Sequence, residues 1–103
     1  MNITFLDIDK GMLFIFPLEG IYSFWMKDTL IPLDIIWINT DYEVVYIKEN
    51  ALPCKNLFNE KASLKKTNCE IFIPDKEAKY VLEINSQLSR KYDIKIKDIA
   101  KFI

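Results

Sequence analysis

The 103-residue sequence contains no histidine. That absence removes the commonest general base, the usual activator of a nucleophilic serine or cysteine, the commonest zinc ligand and the ordinary near-neutral pH switch. Arginine is nearly missing too, with Arg90 the only one. Proteins that read phosphates and bases lean on arginine's planar fork and on aromatics interleaved with basic residues. The net charge of −1 is also too small to advertise nucleic acid or an anionic membrane as a partner. No apolar run approaches the roughly 18 residues of a membrane-spanning helix. Met1-Asn2-Ile3-Thr4-Phe5 lacks the basic region and apolar core of an export signal. The expectation is therefore a cytoplasmic protein, or an extracytoplasmic one if such a signal has been trimmed away.

Cysteine and glycine are equally sparse, with two of each. Two thiolates cannot fill a four-ligand zinc site without carboxylates or a second subunit, so no metal is expected, and no cofactor motif is present. Cys54 and Cys69 are too far apart for a Cys-x-x-Cys redox motif. They could form a disulfide, stabilising by about 3 kcal/mol through loop entropy, or serve reduced as small apolar fillers. With so few glycines, turns must be made by Asn and Asp.

What is present suits one β-rich domain over residues 1–103. Half the residues are apolar and 28% are charged, and a chain of this length can bury a core without staples. Charge is uneven: residues 1–53 hold three lysines against eight acids, and residues 54–103 hold eleven Lys/Arg against seven. A solvated Lys-rich surface explains the second half.

Gly11–Phe16 is apolar on both faces, as a covered strand requires. In Ile21–Lys27, Tyr22, Phe24 and Met26 share one face and Ser23, Trp25 and Lys27 the other. Leu33–Ile38 and Tyr42–Glu49 form a hairpin around Asn39-Thr40-Asp41. Asn50 to about Thr67 reads as an irregular loop with a short helix near Asn59–Leu64. Ile71–Ile73 and Ala78–Ile84 are strands. Ser86–Tyr92 opens with an N-cap serine and is the main helix. Met1–Ile8, Ile94–Lys97 and Ile99–Ile103 complete a set of seven to eight short, mostly antiparallel strands with one or two short helices. The fold class is mainly β, a sandwich or partly open barrel.

The densest chemistry runs from Ser23 to Asp34. Asp34 stands in a strand that is apolar on both faces, with Ile36 and Ile38 on its own side and Leu33, Ile35 and Trp37 on the other. An acid there must be paired, hydrogen-bonded or shifted in pKa. Lys27 and the backbone amides of Lys27–Leu30 are the partners within reach. Paired carboxylates serve as braces more often than as active sites, so a loop clamp is the plainer account. The sharper one is a binding groove of Trp25, Lys27, Thr29 and Asp34, with Glu49 and Asn85 beside it. Trp25 and Trp37 are more often core than platforms. Glu49 and Glu83 could join Asp34 in acid–base chemistry, although nothing in the spacing demands it.

These blocks carry a resemblance. Gly11-Met12-Leu13-Phe14, Phe24-Trp25-Met26-Lys27, Thr29-Leu30-Ile31-Pro32-Leu33-Asp34, Glu49-Asn50-Ala51 with Pro53-Cys54, and Tyr80-Val81-Leu82-Glu83-Ile84-Asn85 follow in order. From about Gly11 to Asp98 the chain resembles the bacterial and archaeal family catalogued as domain of unknown function 192. The resemblance implies a mainly-β domain of a group with many exported members and no established activity. It favours the Cys54–Cys69 disulfide, since relatives with paired cysteines place the second before an aromatic-and-proline stretch like Phe72 and Pro74. Members usually begin with a further strand and a Gly-Leu-Met segment. Here Met1–Ile8 replaces that strand, or an open edge pairs with a second subunit, giving a monomer or an edge-paired dimer. Members also tend to place glycine around the penultimate strand where this chain has Asp93 and Lys97, so those turns are expected to differ.

Three functions remain. The first is a non-enzymatic binding or accessory module offering the Trp25–Asp34 groove to a small polar ligand or an extended peptide. The second is a hydrolase or isomerase using Asp34 with Glu49 or Glu83, which requires one carboxylate titrating well above about 4 in a cleft. The third is a purely structural role for the Trp-to-Asp block.

Overall fold

The computed structural model describes residues 11–26, 29–53, 55–59 and 64–101, with segments 55–59 and 64–68 described by backbone alone. Among these residues the element order is β1 (Gly11–Gly20), β2 (Phe24–Trp25), β3 (Leu33–Ile38), β4 (Val44–Ala51), β5 (Lys55–Asn59), β6 (Leu64–Asn68), β7 (Ile71–Phe72), β8 (Ala78–Asn85) and α1 (Leu88–Lys91). A four-stranded antiparallel sheet runs β1-β8-β3-β4, accompanied by two-stranded β2-β7 and β5-β6 ribbons. No sheet closes into a barrel among the described residues, and the architecture is a partly open sandwich. No helix among them is long and apolar enough to cross a membrane.

Strand β3 organises the molecule because it is central and every residue of it is buried. Alternation divides it between two cores. Leu33, Ile35 and Trp37 join Met26, Val45, Ala51, Phe72, Ala78 and Val81. Ile36 and Ile38 join Val44, with Tyr80, Leu82 and Ile84 of β8 packed alongside. The β2-β7 ribbon covers the first face through Phe24 and Phe72, which are register partners. Phe24 meets Phe14 and Trp37 edge-on at 5.4 and 5.9 Å between centroids, a favoured arrangement of ring quadrupoles. The Trp37 indole N–H donates to the Tyr22 carbonyl at 2.8 Å, so its one polar atom is satisfied.

Several expected elements take other forms. The strand expected over Ile21–Lys27 contracts to Phe24–Trp25; Lys27 itself lies outside the described residues. The loop expected after Asn50 is largely the β5-β6 hairpin, whose arms pair Lys55 with Asn68 through Asn59 with Leu64. The helix expected near Asn59–Leu64 falls partly on residues 60–63, outside the described set, and its two ends are strand residues. Facing arms satisfy each other's backbone groups, which accounts for Asn59 and Leu64 being strand residues.

The Ile94–Lys97 strand is not formed, and of Ile99–Ile103 the described residues make one antiparallel bridge, Ile99 with Glu43, while Phe102 and Ile103 lie outside the described residues. Residues 94–100 instead turn back onto β4, with Val44 N–H donating to Asp98 O and Lys97 N–H to Val44 O, both at 2.8 Å. Met1–Ile8 lies outside the described residues. Among the described residues β1 is an edge of the sheet.

Among the described residues five non-glycine residues hold positive φ, Tyr42, Asn50, Gln87, Asp93 and Lys97, while neither glycine does. The turns at Asp93 (φ 55) and Lys97 (φ 81) are left-handed all the same, without glycine. Asn39 builds the β3–β4 turn by accepting the Asp41 and Glu43 N–H groups on its side chain, each at 2.9 Å.

A polar cavity braced by Asp34

The site begins with an irregularity in β4. Leu33 pairs with Ala51 and Ile35 with Lys48, so Glu49 and Asn50 together stand opposite the single residue Asp34. This is a β-bulge, and Asn50 supplies the left-handed residue (φ 52) that the extra length requires. The Asn50 N–H, freed from the ladder, donates to Asp34 Oδ1 at 2.8 Å.

The other carboxylate oxygen reaches the segment after β8. Asp34 Oδ2 accepts the Ser89 N–H at 3.0 Å and the Ser89 hydroxyl at 2.6 Å. Helix α1 has Gln87 at its N-cap in the left-handed region and no side-chain cap of its own, so Asp34 caps it from another strand. The serine expected to cap, Ser86, instead donates its hydroxyl to Asn50 Oδ1 at 2.6 Å. The helix is correspondingly short, four residues. Asp34 is completely buried, and its charge is met by three hydrogen bonds to neutral donors. Among the described residues the partners are thus β4 and α1; of the amides expected, Thr29 N–H donates to Met26 O instead, and Lys27 and Asp28 lie outside the described residues.

Around this brace lies a cavity of about 250 Å³ lined by Asp34, Glu49, Asn50, Gln87 and Arg90. Glu49 and Arg90 face each other across it at 3.3 Å, with side chains 47% and 75% exposed. Glu49 Oε1 is 3.5 Å from the Ser89 hydroxyl. That hydroxyl has one proton, engaged at 2.6 Å by Asp34, so Glu49 keeps acceptor capacity. The amide nitrogen of Asn50 and most of the guanidinium N–H groups are likewise uncommitted by the bonds described.

The residues expected in one groove are distributed over several places. Asp34 and Glu49 share the cavity. Trp25 follows core-facing Phe24 on the ribbon, so it turns outward and is half exposed, with exposed Ile71 as its cross-strand partner. The ribbon covers the first face of the sheet, whereas Asp34 projects from the second, which separates Trp25 from Asp34. Thr29 is buried and its N–H donates to Met26 O at 3.2 Å. Asn85 pairs with Leu33 on the first face. Lys27 lies outside the described residues. Cys69 is disulfide-bonded, and Cys54, its expected mate, lies outside the described residues.

Glu83 occupies the opposite side of the sheet from Asp34. It pairs with Met12 and Ile35, on the Leu33–Ile35–Trp37 face, while Asp34 pairs with Ile84. The sheet therefore separates the two acids, and the expected Asp34–Glu83 pair is not formed. Glu83 is 1% exposed, and neither carboxyl oxygen has a hydrogen-bond partner among the described residues. Burial pushes its pKa up to about 7.

Sequence reasoning missed Asn50, Gln87, Ser89 and Arg90 as site residues. The available signals were faint: a sole arginine beside a serine-flanked helix start, and an asparagine directly after Lys48 and Glu49 in the fourth strand.

The family model for domain of unknown function 192, with the description "Uncharacterized ACR", matches residues 1–102. The chain belongs to that family. Two solved structures are similar to it. One, from Novosphingobium aromaticivorans, is described as a protein of unknown function and shares 30% identity at a TM-score of 0.75, over 96% of this chain and 61% of that one. The other, from Sinorhizobium meliloti, is described as a "putative transcription regulator" and shares 29% identity at a TM-score of 0.75, over 93% of this chain and 64% of that one. The chain thus spans less than two thirds of either protein. No curated protein matches it.

Proposed function

We propose that this member of the uncharacterised family is a non-enzymatic binding module whose ligand, a small polar molecule, sits in the Asp34–Arg90 cavity. The observation that carries this reading is that two left-handed residues meet at one cavity. Asn50 and Gln87, two of the five left-handed non-glycine residues, both line the cavity. Asn adopts this conformation readily, whereas for Gln87 it costs about 1–3 kcal/mol and persists where the surroundings over-determine it, which is common at ligand clamps. Here Asp34 does the determining, gripping Asn50 directly and Ser89 two residues beyond Gln87. Asp34 is then a positioning residue, and Glu49, Asn50, Gln87 and Arg90 face the ligand.

Acid–base catalysis by Asp34 with Glu49 has less support. Asp34 already accepts three hydrogen bonds, about three of a carboxylate's four acceptor sites, and it has no exposed edge to offer a substrate.

A fragment library of neutral, anionic and cationic polar compounds, screened by heteronuclear NMR, tests the reading. Hits should shift the amides of Asn50, Gln87 and Arg90, and Arg90→Ala should weaken them. Hits that cluster elsewhere and ignore Arg90→Ala would refute it.

A further inference from the structure

We propose that the cavity takes an uncharged polyol the size of one sugar ring, bound through neighbouring hydroxyls. This rests on the cavity reading and adds the ligand's chemical class. Three features select it.

The first is charge. Glu49 and Arg90 neutralise each other across the cavity, and the buried Asp34 carboxylate remains, so the lining carries a formal charge of −1 from two acids and one arginine. A phosphate, sulfate or carboxylate ligand would face the Asp34 charge at close range without a surplus cation to meet it. A cation would not use the exposed Arg90 guanidinium.

The second is the pattern of donors and acceptors. Glu49 offers acceptor oxygens, and beside it Arg90 and the Asn50 amide offer N–H groups, since Asn50 Oδ1 is already occupied by the Ser86 hydroxyl. A hydroxyl both donates and accepts. Two adjacent hydroxyls can therefore give a proton to Glu49 and receive one from Arg90 or Asn50, leaving no group unpaired. A ligand having only donors or only acceptors would desolvate one half of this set without return.

The third is size and lining. About 250 Å³ holds roughly eight waters at their liquid volume, room for one six-membered ring with its substituents. The lining is more polar than apolar and includes no aliphatic or aromatic side chain, so a flat aromatic ligand finds no ring to stack on.

At ordinary ligand efficiency, a molecule of about twelve non-hydrogen atoms binds with a Kd on the order of 1 mM. The test is an amide NMR titration of the full chain with glucose, mannose, galactose and myo-inositol to tens of millimolar, alongside inorganic phosphate and ethanolamine. At least one polyol should move Asn50, Gln87 and Arg90 saturably. Glu49→Gln and Arg90→Ala should each weaken that response about tenfold while leaving the rest of the spectrum in place. If phosphate, ethanolamine or another library compound moves these amides and no polyol does, the polyol assignment is wrong and the cavity reading survives. If neither polyols nor the library move them, both are overturned.

Discussion

Replacing Glu83 by glutamine should abolish a pH dependence of stability that the wild-type chain carries. Glu83 is inside the core, and neither of its oxygens is hydrogen-bonded among the described residues. Its pKa rises from 4.5 to about 7 because burial penalises the charged form. The folded state then holds a proton that the unfolded chain has already released. By linkage, stability falls with rising pH wherever the folded state binds more protons. The neutral carboxyl's contribution is fully present below about pH 4.5, declines from there, and is gone once pH has passed about 7. At about 1.4 kcal/mol per pKa unit, the loss across that window is about 3 kcal/mol. Glutamine keeps the shape and polarity and cannot ionise.

Urea unfolding, followed by the fluorescence of buried Trp37, should be run at half-unit steps from pH 4.5 to 8.5. Wild type and Glu83→Gln should agree within about 1 kcal/mol at the acid end and diverge toward about 3 kcal/mol by pH 8, with the variant the more stable. Taking the difference between the two proteins cancels other titrations. One of these is Glu19, whose carboxyl is held below the usual range by the Thr40 hydroxyl and N–H. Parallel stability curves, or a Glu83 carbon resonance titrating near 4.5, would show that the carboxyl is hydrated or partnered, and the reasoning would fail.

Asp34→Asn should destabilise by roughly 3–5 kcal/mol, because an amide cannot accept from Asn50 and both Ser89 donors at once and leaves buried groups facing like groups; urea unfolding gives the number, and a loss under 1 kcal/mol would contradict the brace. Arg90→Ala should change stability by less than about 0.5 kcal/mol, since its pair with Glu49 is exposed; a larger thermal shift would count against an assignment to ligand binding alone. Lys97→Gly should stabilise by about 0.5–1 kcal/mol by relieving a left-handed lysine at φ 81, measurable in the same urea assay, whereas a destabilised variant would mean that unfolded-chain entropy outweighs the relief. Trp37→Ala should cost about 3–5 kcal/mol or prevent folding, since the side chain is fully buried, while Trp25→Ala, which removes an outward ring, should cost far less in parallel melts.

The period-two pattern made the two faces of β3 readable from the sequence, including the oddity of an acid on the Ile36–Ile38 side. Elements defined by long-range pairing were less legible. The β5-β6 hairpin depends on arms that find each other, and its sequence lacks the Asn-Gly or Asp-Gly signal that would announce the turn. The segment after Asp93 alternates like a strand, yet left-handed Lys97 bends it back onto β4. The groove failed as a single site for a different reason. Trp25 and Asp34 are close in sequence, but the chain between them carries one onto the ribbon over the first face and leaves the other projecting from the second. What actually meets Asp34 comes from residues 50 and 89, a bulge and a helix start, neither of which follows a fixed spacing.

Asp34 and Glu83 occupy neighbouring strands and project from opposite faces of one sheet, and their surroundings resolve carboxylate burial in opposite ways. Around Asp34 the chain departs from regular structure: β4 bulges, Asn50 and Gln87 go left-handed, and the helix start aims an N–H and a hydroxyl at the charge. Around Glu83 the ladder stays regular, with Met12 and Ile35 as direct neighbours on the two flanking strands and no donor provided among the described residues. A regular strand interior has no spare backbone N–H to offer, because the ladder consumes them all. Irregular backbone is what makes a buried charge tolerable, and it is also what opens a concavity at the sheet's end. The polar cavity is therefore found beside Asp34, where irregular backbone frees donors, and the titrating acid is Glu83, where the regular ladder leaves none free.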